Sequence, residues 1–305
     1  MILLIISSLC AADLAPGDHT RTLDSDGRPR QYNIHVPLTY SGQKKTPVVL
    51  VFHGGAMNAK AIQLHTQMDK KSDEAGFIAV YPNGTGRLKR ILTWNGGNCC
   101  GYAMRNKVDD VAFVDRLLDD LSKVVKVDSR RVFATGISNG AIISYLLASR
   151  LSKRIAAIAP IAGPMGTGSC SPERPVPVIH FHGTKDTSAP YEGGRGKGLT
   201  RTNFYSVKHS IDNWVKANGC AAEPTTEEFE DTHEDGTKII RKTWGNGKQG
   251  SEVVLIRIEG GGHTWPGIQM RTKLLGISTR EISANDMMWE FFKKHPMPEQ
   301  ARAFR

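Results

Sequence analysis

Two patterns of hydrophobic and polar positions alternate along the chain. Short runs of consecutive apolar, often β-branched residues, such as Pro47 to Phe52, are typical of strands buried on both faces. Between them lie longer segments in which apolar residues recur every three or four positions, as in Val108 to Val124, which is typical of helices that pack on a sheet. This alternation predicts an α/β protein with a doubly wound, mostly parallel sheet and helices on both faces.

Each predicted element follows from its own pattern. The predicted strands are a strand pair near Gln31 to Val36, then Pro47 to Phe52, Phe77 to Tyr81, Arg131 to Thr135, Ile155 to Ile161, Val176 to His182, Lys238 to Thr243 and Val253 to Ile258. The predicted helices are Ala61 to Ala75, Val108 to Val124, Asn139 to Leu151, Asn203 to Ala217 and Ala284 to Lys294. The charged, glycine-rich stretch Ala221 to Gly250 predicts a hairpin on the sheet edge.

Length and composition favour one catalytic domain. The 305 residues, 39% of them hydrophobic, are enough for one large core, and the sequence contains no internal repeat or low-complexity linker. Residues 1–12 are apolar and end in small residues, so we interpret them as a signal peptide, although no positive charge opens them. Residues 13–305 then form the domain, and we expect a secreted protein, extracellular or periplasmic. Cys10 also allows a lipoprotein, but a lipid-accepting cysteine normally follows a small residue, and here it follows Leu9.

The charge distribution argues against nucleic acid as a partner. Lys and Arg outnumber Asp and Glu by 40 to 30, but they are scattered, and clusters such as Lys44 with Lys45 and Arg87 to Arg90 are short. A basic surface without a binding stripe is the better interpretation. The apolar N-terminal run is too short to span a bilayer, so we expect no stable membrane insertion.

The cysteines predict disulfides rather than a metal site. Cys99, Cys100, Cys170 and Cys220 remain after the expected cleavage, and an even number in an exported chain favours two bridges. A bond between adjacent cysteines closes a strained ring, so we expect Cys99 and Cys100 each to reach one of the other two, in either pairing. No C-x-x-C pair is present and no suitably spaced histidine lies beside these cysteines, so we expect no zinc site.

The segment Gly136-Ile137-Ser138-Asn139-Gly140 matches G-x-S-x-G, a pattern that is weak evidence alone. Its context strengthens it, because a predicted strand precedes Ser138 and a predicted helix follows it. A sharp turn between the two raises the hydroxyl above the sheet, and the glycines avoid collisions within the turn. Ser138 is therefore the candidate nucleophile.

A serine needs a base and an acid, which follow it in chain order in this arrangement. Asp186 comes just after the strand Val176 to His182, and His263 ends the glycine-rich loop after the strand Val253 to Ile258. We predict a catalytic triad of Ser138, Asp186 and His263. The rival acids, which precede the serine, are Asp109, Asp110 and Asp115. The rival bases are His180 and His182, which lie inside a strand where packed, hydrogen-bonded histidines are usual.

An oxyanion hole requires two free amides near the nucleophile. The residue after the nucleophile supplies one, and the loop that begins at His53 supplies the other. We expect these donors to be the amides of Asn139 and Gly55, with Ala56 as the alternative to Gly55. His53 is expected to shape its loop rather than to take part in catalysis.

These motifs together resemble the secreted polyhydroxybutyrate depolymerase and feruloyl esterase group of α/β-hydrolases. The resemblance runs from about Gln31 to Pro296, through Phe52-His53-Gly54-Gly55, Tyr81-Pro82-Asn83-Gly84, Trp94-Asn95, Cys99-Cys100-Gly101, Val108-Asp109-Asp110-Val111, Gly136 to Gly140, His180 to Asp186, Pro190-Tyr191 and Gly261 to Gly267. It implies an α/β-hydrolase fold and extracellular hydrolysis of carboxylic esters through an acyl-enzyme, without a cofactor. Ser138, Asp186 and His263 match the triad of the family.

The segments around Trp94 and Trp265 match loops that border the site in this family. We expect the two tryptophans to bind substrate by stacking on an aromatic acyl group or a sugar, the alternative being that they anchor their loops in the core. The expected substrates are feruloyl or acetyl esters of plant polysaccharide, or hydroxyalkanoate (polyester) oligomers. The alternatives are a serine peptidase of the same fold and a catalytically silent polysaccharide-binding protein.

Overall fold

The strands of this computed structural model, which describes residues 13–88, 90–198, 201–269 and 273–299, begin and end near the predicted positions. The signal-peptide segment and Cys10 lie outside these residues. The strands are β1 Gly17–Ser25, β2 Arg28–Val36, β3 Thr46–Phe52, β4 Ile78–Pro82, β5 Thr85–Leu88, β6 Ile91–Thr93, β7 Val127–Ile137, β8 Ala157–Ile161, β9 Val178–Gly183, β10 Gly194–Arg195, β11 Asn203–Phe204, β12 Thr225–Glu228, β13 Lys238–Trp244 and β14 Val253–Glu259.

The helices also follow the predicted order. They are α1 Ala59–Thr66, α2 Met68–Ala75, α3 Gly101–Arg105, α4 Asp110–Leu121, α5 Asn139–Arg150, α6 Val207–Asn218 and α7 Ala284–Lys294, with 3₁₀ turns at Lys248–Gly250 and Lys273–Leu275. Within the described part of the chain, no helix is long and apolar enough to cross a membrane.

One ten-stranded sheet organises the molecule, in the order β1-β2-β4-β3-β7-β8-β9-β14-β13-β12. Its centre, from β4 to β14, is parallel, and antiparallel hairpins close both edges. The edge hairpin predicted within Ala221 to Gly250 corresponds to β12 and its pairing with β13. The predicted fold class, an α/β-hydrolase fold in one domain, is confirmed.

Alternate residues of the central strands pack on opposite faces of the sheet. Along β3, Val48, Leu50 and Phe52 belong to the cluster with α4, α5 and α6, whereas Val49 and Val51 belong to the cluster with α1, α2 and α7. Both faces are therefore covered, which explains why the strands are apolar throughout rather than alternating.

Two predicted helices differ from the observed ones for local reasons. The segment Ala61 to Ala75 is two helices, because Gln67 adopts a left-handed conformation with φ of 51° and ends α1. The helix expected from Asn203 begins at Val207, where the Ser206 hydroxyl caps it by accepting a hydrogen bond from the His209 N–H, 3.0 Å away.

The expected disulfide pairing is wrong. Cys99 is bonded to Cys100, its neighbour in the sequence, and Cys170 and Cys220 are free thiols. The two free thiols contact backbone carbonyls instead: Cys170 Sγ lies 3.6 Å from the Asn213 oxygen, and Cys220 Sγ lies 3.9 Å from the Ser251 oxygen. The expectation failed because neither the even number of cysteines nor ring strain takes account of where the chain carries these side chains.

Candidate active site

Ser138 occupies the turn between β7 and α5. Its φ of 59° and ψ of −120° form a sparsely populated conformation that costs about 1–3 kcal/mol for a residue with a side chain. The two flanking glycines make the turn possible. A Cβ on Gly136 would lie 2.6 Å from the Phe52 oxygen, and a Cβ on Gly140 would lie 2.1 Å from the same atom. The turn therefore packs directly against the end of β3, as the G-x-S-x-G pattern predicts.

The loops that follow β9 and β14 bring Asp186 and His263 together. These strands are parallel neighbours, so their carboxyl ends meet at one edge of the sheet. His263 Nδ1 lies 2.7 Å from Asp186 Oδ2. Since Asp186 is an acceptor when ionised, His263 carries its proton on Nδ1 and leaves Nε2 as a base.

Asp186 is held from both sides. Its Oδ1 accepts hydrogen bonds from the N–H groups of Ser188 and Ala189, each at 2.8 Å. Burial by itself would raise the pKa of Asp186, but hydrogen bonds from His182 and His263 outweigh burial and hold the pKa well below its usual range. The carboxylate is therefore ionised and fixed in orientation at neutral pH.

The rival acids have other partners. Asp110 is buried in an ion pair with Arg30, at 2.7 Å. Asp109 caps α4 by accepting from the Ala112 N–H, and Asp115 pairs with Arg154. Each of these carboxylates thus has a structural partner away from Ser138.

A cavity of about 620 Å³ opens beside Ser138 and His263, which both line it. This volume suits a small-molecule site. Its apolar wall comes from Met57, Leu88, Ile91, Tyr102, Phe204 and Leu275. Sequence reasoning missed Tyr102 and Phe204, because they come from short elements, α3 and β11, that have no hydrophobic periodicity.

The expected oxyanion donors also border this cavity. Gly55 and Asn139 line it, and within the described ranges no protein acceptor takes the N–H of either residue. The alternative donor, Ala56, is already engaged, because its N–H donates to the Leu92 oxygen at 2.9 Å. Two free amides therefore face the space next to Ser138.

The prediction that Trp94 and Trp265 stack on a substrate is wrong. Both indoles are completely buried, and neither lines the cavity. Trp94 donates from its indole nitrogen to the His53 oxygen at 3.1 Å, and Trp265 donates to Asn285 Oδ1 at 2.9 Å. Both tryptophans anchor loops, which was the alternative interpretation.

His53 shapes its loop, as expected. Its Nδ1 donates to the Gly54 oxygen at 2.8 Å, and its Nε2 accepts from the Gly84 N–H at 3.0 Å. Burial lowers the pKa of His53 to about 4. The imidazole is thus neutral and joins the loop after β3 to the loop after β4.

The fold and the arrangement of Ser138, Asp186 and His263 define the chain as an α/β-hydrolase. A solved structure of an acetyl xylan esterase from Aspergillus awamori has the same fold, with a TM-score of 0.58 at 16% identity, over 90% of this chain and 99% of that one. The family model for esterase PHB depolymerases matches residues 31–186, which is more than half of the sequence. The chain belongs to the esterase PHB depolymerase family.

Curated relatives are similar to this chain at low identity. Feruloyl esterase B of Piromyces equi is 30% identical over 245 residues, which is 77% of this chain but 42% of that protein. Feruloyl esterase D of Neurospora crassa is 26% identical over 284 residues, covering 90% of this chain and 85% of that protein. The chain therefore spans less than half of the first relative and most of the second.

Proposed function

We propose that this protein is a serine esterase that hydrolyses carboxylic esters through an acyl-enzyme on Ser138. The observation that carries the proposal is the 2.7 Å hydrogen bond between His263 Nδ1 and Asp186 Oδ2, because it leaves His263 Nε2 unprotonated on the cavity that Ser138 also lines. A binding protein has no need of a base held in this tautomer. Family membership supports the ester as the bond that is cleaved.

The proposed reaction begins when His263 Nε2 takes the Ser138 proton and the oxygen attacks the ester carbonyl. The N–H groups of Gly55 and Asn139 stabilise the oxyanion, each by about 3 kcal/mol. The imidazolium, stabilised by Asp186, then protonates the leaving alcohol. Water repeats the sequence and releases the acid from Ser138.

The cavity and the relatives support a proposal for the substrate class. An apolar wall on a cavity of about 620 Å³ accommodates an aromatic or aliphatic acyl group. We propose feruloyl or acetyl esters of polysaccharide, or hydroxyalkanoate oligomers, as substrates. Tyr102 and Phe204, rather than the two buried tryptophans, are the aromatic residues that can contact such a group.

We also propose that the protein works outside the cytoplasm. The apolar run at residues 1–12 supports export, and the Cys99–Cys100 disulfide suits an oxidising compartment.

The test of the esterase proposal is Ser138→Ala, assayed with chromogenic acetyl, feruloyl and 3-hydroxybutyrate esters and with a matched anilide. The wild type should cleave esters in preference to the anilide and react with a fluorophosphonate, and the variant should do neither. Ser122→Ala, at the end of α4 and away from the cavity, is the matched control. Ester turnover by Ser138→Ala near the wild-type rate would contradict the proposal, and a preference for the anilide would favour a peptidase.

A further inference from the structure

A row of three buried, hydrogen-bonded side chains, those of Tyr145, His180 and His182, lies behind Asp186 on the side away from the cavity. The Tyr145 hydroxyl lies 2.9 Å from His180 Nδ1, and His180 Nε2 lies 3.0 Å from His182 Nδ1. His182 Nε2 then lies 2.8 Å from the Ala189 oxygen and 3.4 Å from Asp186 Oδ2. Tyr145, His180 and His182 are each at most 1% exposed.

The two acceptors at the Asp186 end of this row, the Ala189 carbonyl and the Asp186 carboxylate, determine where every proton lies. A carbonyl and a carboxylate accept hydrogen bonds and do not donate them, so His182 must carry its proton on Nε2. Its Nδ1 is then an acceptor, and His180 must donate to it from Nε2. The Nδ1 of His180 is in turn an acceptor, so the Tyr145 hydroxyl must donate. With both imidazoles neutral, only one arrangement of protons satisfies all three contacts.

A neutral His180 imidazole and a protonated Tyr145 hydroxyl suit this arrangement. Burial, together with the neighbouring His182, lowers the pKa of His180 well below its ordinary value, and burial raises the pKa of Tyr145 well above its own. The row of Tyr145, His180 and His182 is therefore a fixed line of dipoles at the pH where the site works. Each dipole points its positive end toward Asp186.

We propose that His182 is a positioning residue for Asp186, and that Tyr145 and His180 brace the His182 ring so that its N–H faces the Ala189 carbonyl and the Asp186 carboxylate. This rests on the proposed esterase function. The N–H of His182 bridges the Asp186 carboxylate and the Ala189 carbonyl. It thereby fixes the turn whose amide groups bind the other carboxylate oxygen.

Removing the Tyr145 hydroxyl tests this with almost no change of volume. In Tyr145→Phe, His180 Nδ1 loses its donor, so the His180 ring that contacts His182 Nδ1 is held less firmly. The Ala189 and Asp186 oxygens still require the proton of His182 on Nε2, so the variant loosens the ring without reversing its tautomer. We expect kcat to fall by about tenfold with KM unchanged, since a loosely held His182 ring positions the Asp186 carboxylate less well.

The pH profile separates positioning from a purely structural role. When the His182 N–H is less firmly aimed at Asp186, the negative charge of the carboxylate is less shielded and stabilises protonated His263 more strongly. The acidic limb of the kcat/KM profile should therefore move to higher pH. Other titratable or charged groups near His182 include Tyr191, whose ring lies 5.8 Å from it, and Arg257, which lies over Tyr191, and neither is altered in the variant.

Two variants of His180 provide the control for rescue. Glutamine retains an N–H where His180 Nε2 donates to His182, whereas leucine does not. We expect His180→Gln to keep most of kcat and His180→Leu to lose it as Tyr145→Phe does. Tyr32→Phe, which removes another buried tyrosine hydroxyl, 2.7 Å from Asp120, should leave kcat and the pH profile unchanged.

The ¹⁵N spectrum of labelled histidines reports the tautomers without any need for activity. The wild type should show His180 and His182 protonated on Nε2, and His182 should keep this form in Tyr145→Phe. The proposal is overturned if His182 carries its proton on Nδ1 alone, or if kcat and the acidic limb stay at wild-type values in Tyr145→Phe. If the wild-type protein cleaved no ester, that result would instead contradict the esterase proposal.

Discussion

Replacing Asp186 by asparagine tests the proposed triad with the least change of shape. The Oδ1 position accepts two backbone N–H groups, from Ser188 and Ala189, each at 2.8 Å. A backbone N–H can bond only to the amide oxygen, so the asparagine oxygen must take this position. Its NH₂ group then takes the Oδ2 position, 2.7 Å from His263 Nδ1.

This orientation reverses the tautomer of His263. An NH₂ donor that faces Nδ1 requires Nδ1 to accept, which moves the imidazole proton to Nε2. His263 can then no longer take the proton of Ser138. The corresponding change in the Ser-His-Asp triad of chymotrypsin-like proteases lowers kcat by about 10⁴-fold, or about 5.5 kcal/mol, and we expect a loss of this order.

Stability should change in a way that depends on pH. Because the folded-state pKa of Asp186 is depressed, its ionisation stabilises the fold above its unfolded value of about 3.9, and this contribution is lost as the pH falls through the folded value. The variant lacks the contribution. It should therefore be less stable than the wild type at pH 7, and the difference should shrink as the pH falls below about 4.

The assay is steady-state hydrolysis of a chromogenic ester at pH 7, with urea unfolding at pH 7 and at lower pH. Asp109→Asn is the matched control, because Asp109 caps α4 and asparagine caps helices equally well. A kcat for Asp186→Asn within tenfold of the wild-type value, in a protein that remains folded, would refute the assignment of Asp186 as the triad acid.

Two further predictions concern groups near the cavity. Burial lowers the pKa of His53 to about 4 from an ordinary 6.5, so the unfolded state takes up this proton at a higher pH than the folded state does. The free energy of unfolding should therefore fall by about 3 kcal/mol as the pH drops from 6.5 to about 4. Protonation of the buried His180 adds to this dependence of the unfolding free energy on pH. Urea titrations of His53→Gln should therefore show a weaker dependence on pH, but not its complete loss. A dependence equal to that of the wild type would contradict the prediction for His53. Arg87 and Arg105 line the cavity without a carboxylate partner in the described ranges. Arg105→Gln should therefore lower kcat/KM for a carboxylate-bearing ester more than for its neutral isostere, whereas the control Arg195→Gln should not. Equal losses of kcat/KM on both esters would argue against an anion contact.

Hydrophobic periodicity was sufficient to predict the sheet and most helices. The closing helix was predicted with the same bounds that α7 has, because Met288, Phe291 and Phe292 recur at helical spacing on the buried side. The nucleophile turn was predictable because its glycines have a steric requirement that shows in the sequence. Signals of this kind are local, and each lies within a few residues of the element it predicts.

The predictions that failed depended on contacts between distant segments. The indole of Trp94 finds its acceptor at His53, and that of Trp265 at Asn285, and neither partnership is visible in composition or spacing. His182 was correctly interpreted as a packed histidine, but its approach to Asp186 depends on how tightly the turn after β9 folds back. Short elements such as β11, which brings Phe204 to the cavity, have too few residues for a periodic pattern.

The burial of Trp94 gives this residue a different role from the expected one. The Asn139 side chain bonds Trp94 through both backbone groups, accepting from its N–H at 2.7 Å and donating to its oxygen at 3.0 Å. The indole of Trp94 then holds the His53 carbonyl, and the His53 ring holds the oxygen of Gly54. One hydrogen-bonded path thus runs from Asn139 to Gly54, the residue before Gly55. It links the two residues, Asn139 and Gly55, whose amides are the proposed oxyanion donors.

A fixed spacing between two donors is what an oxyanion hole requires, because an electrostatic contribution to catalysis depends on dipoles that need no reorganisation during the reaction. Trp94 therefore supports the proposed chemistry from within the core, and a site at a strand-to-helix turn can be rigid although both of its donors lie in loops or at a helix end.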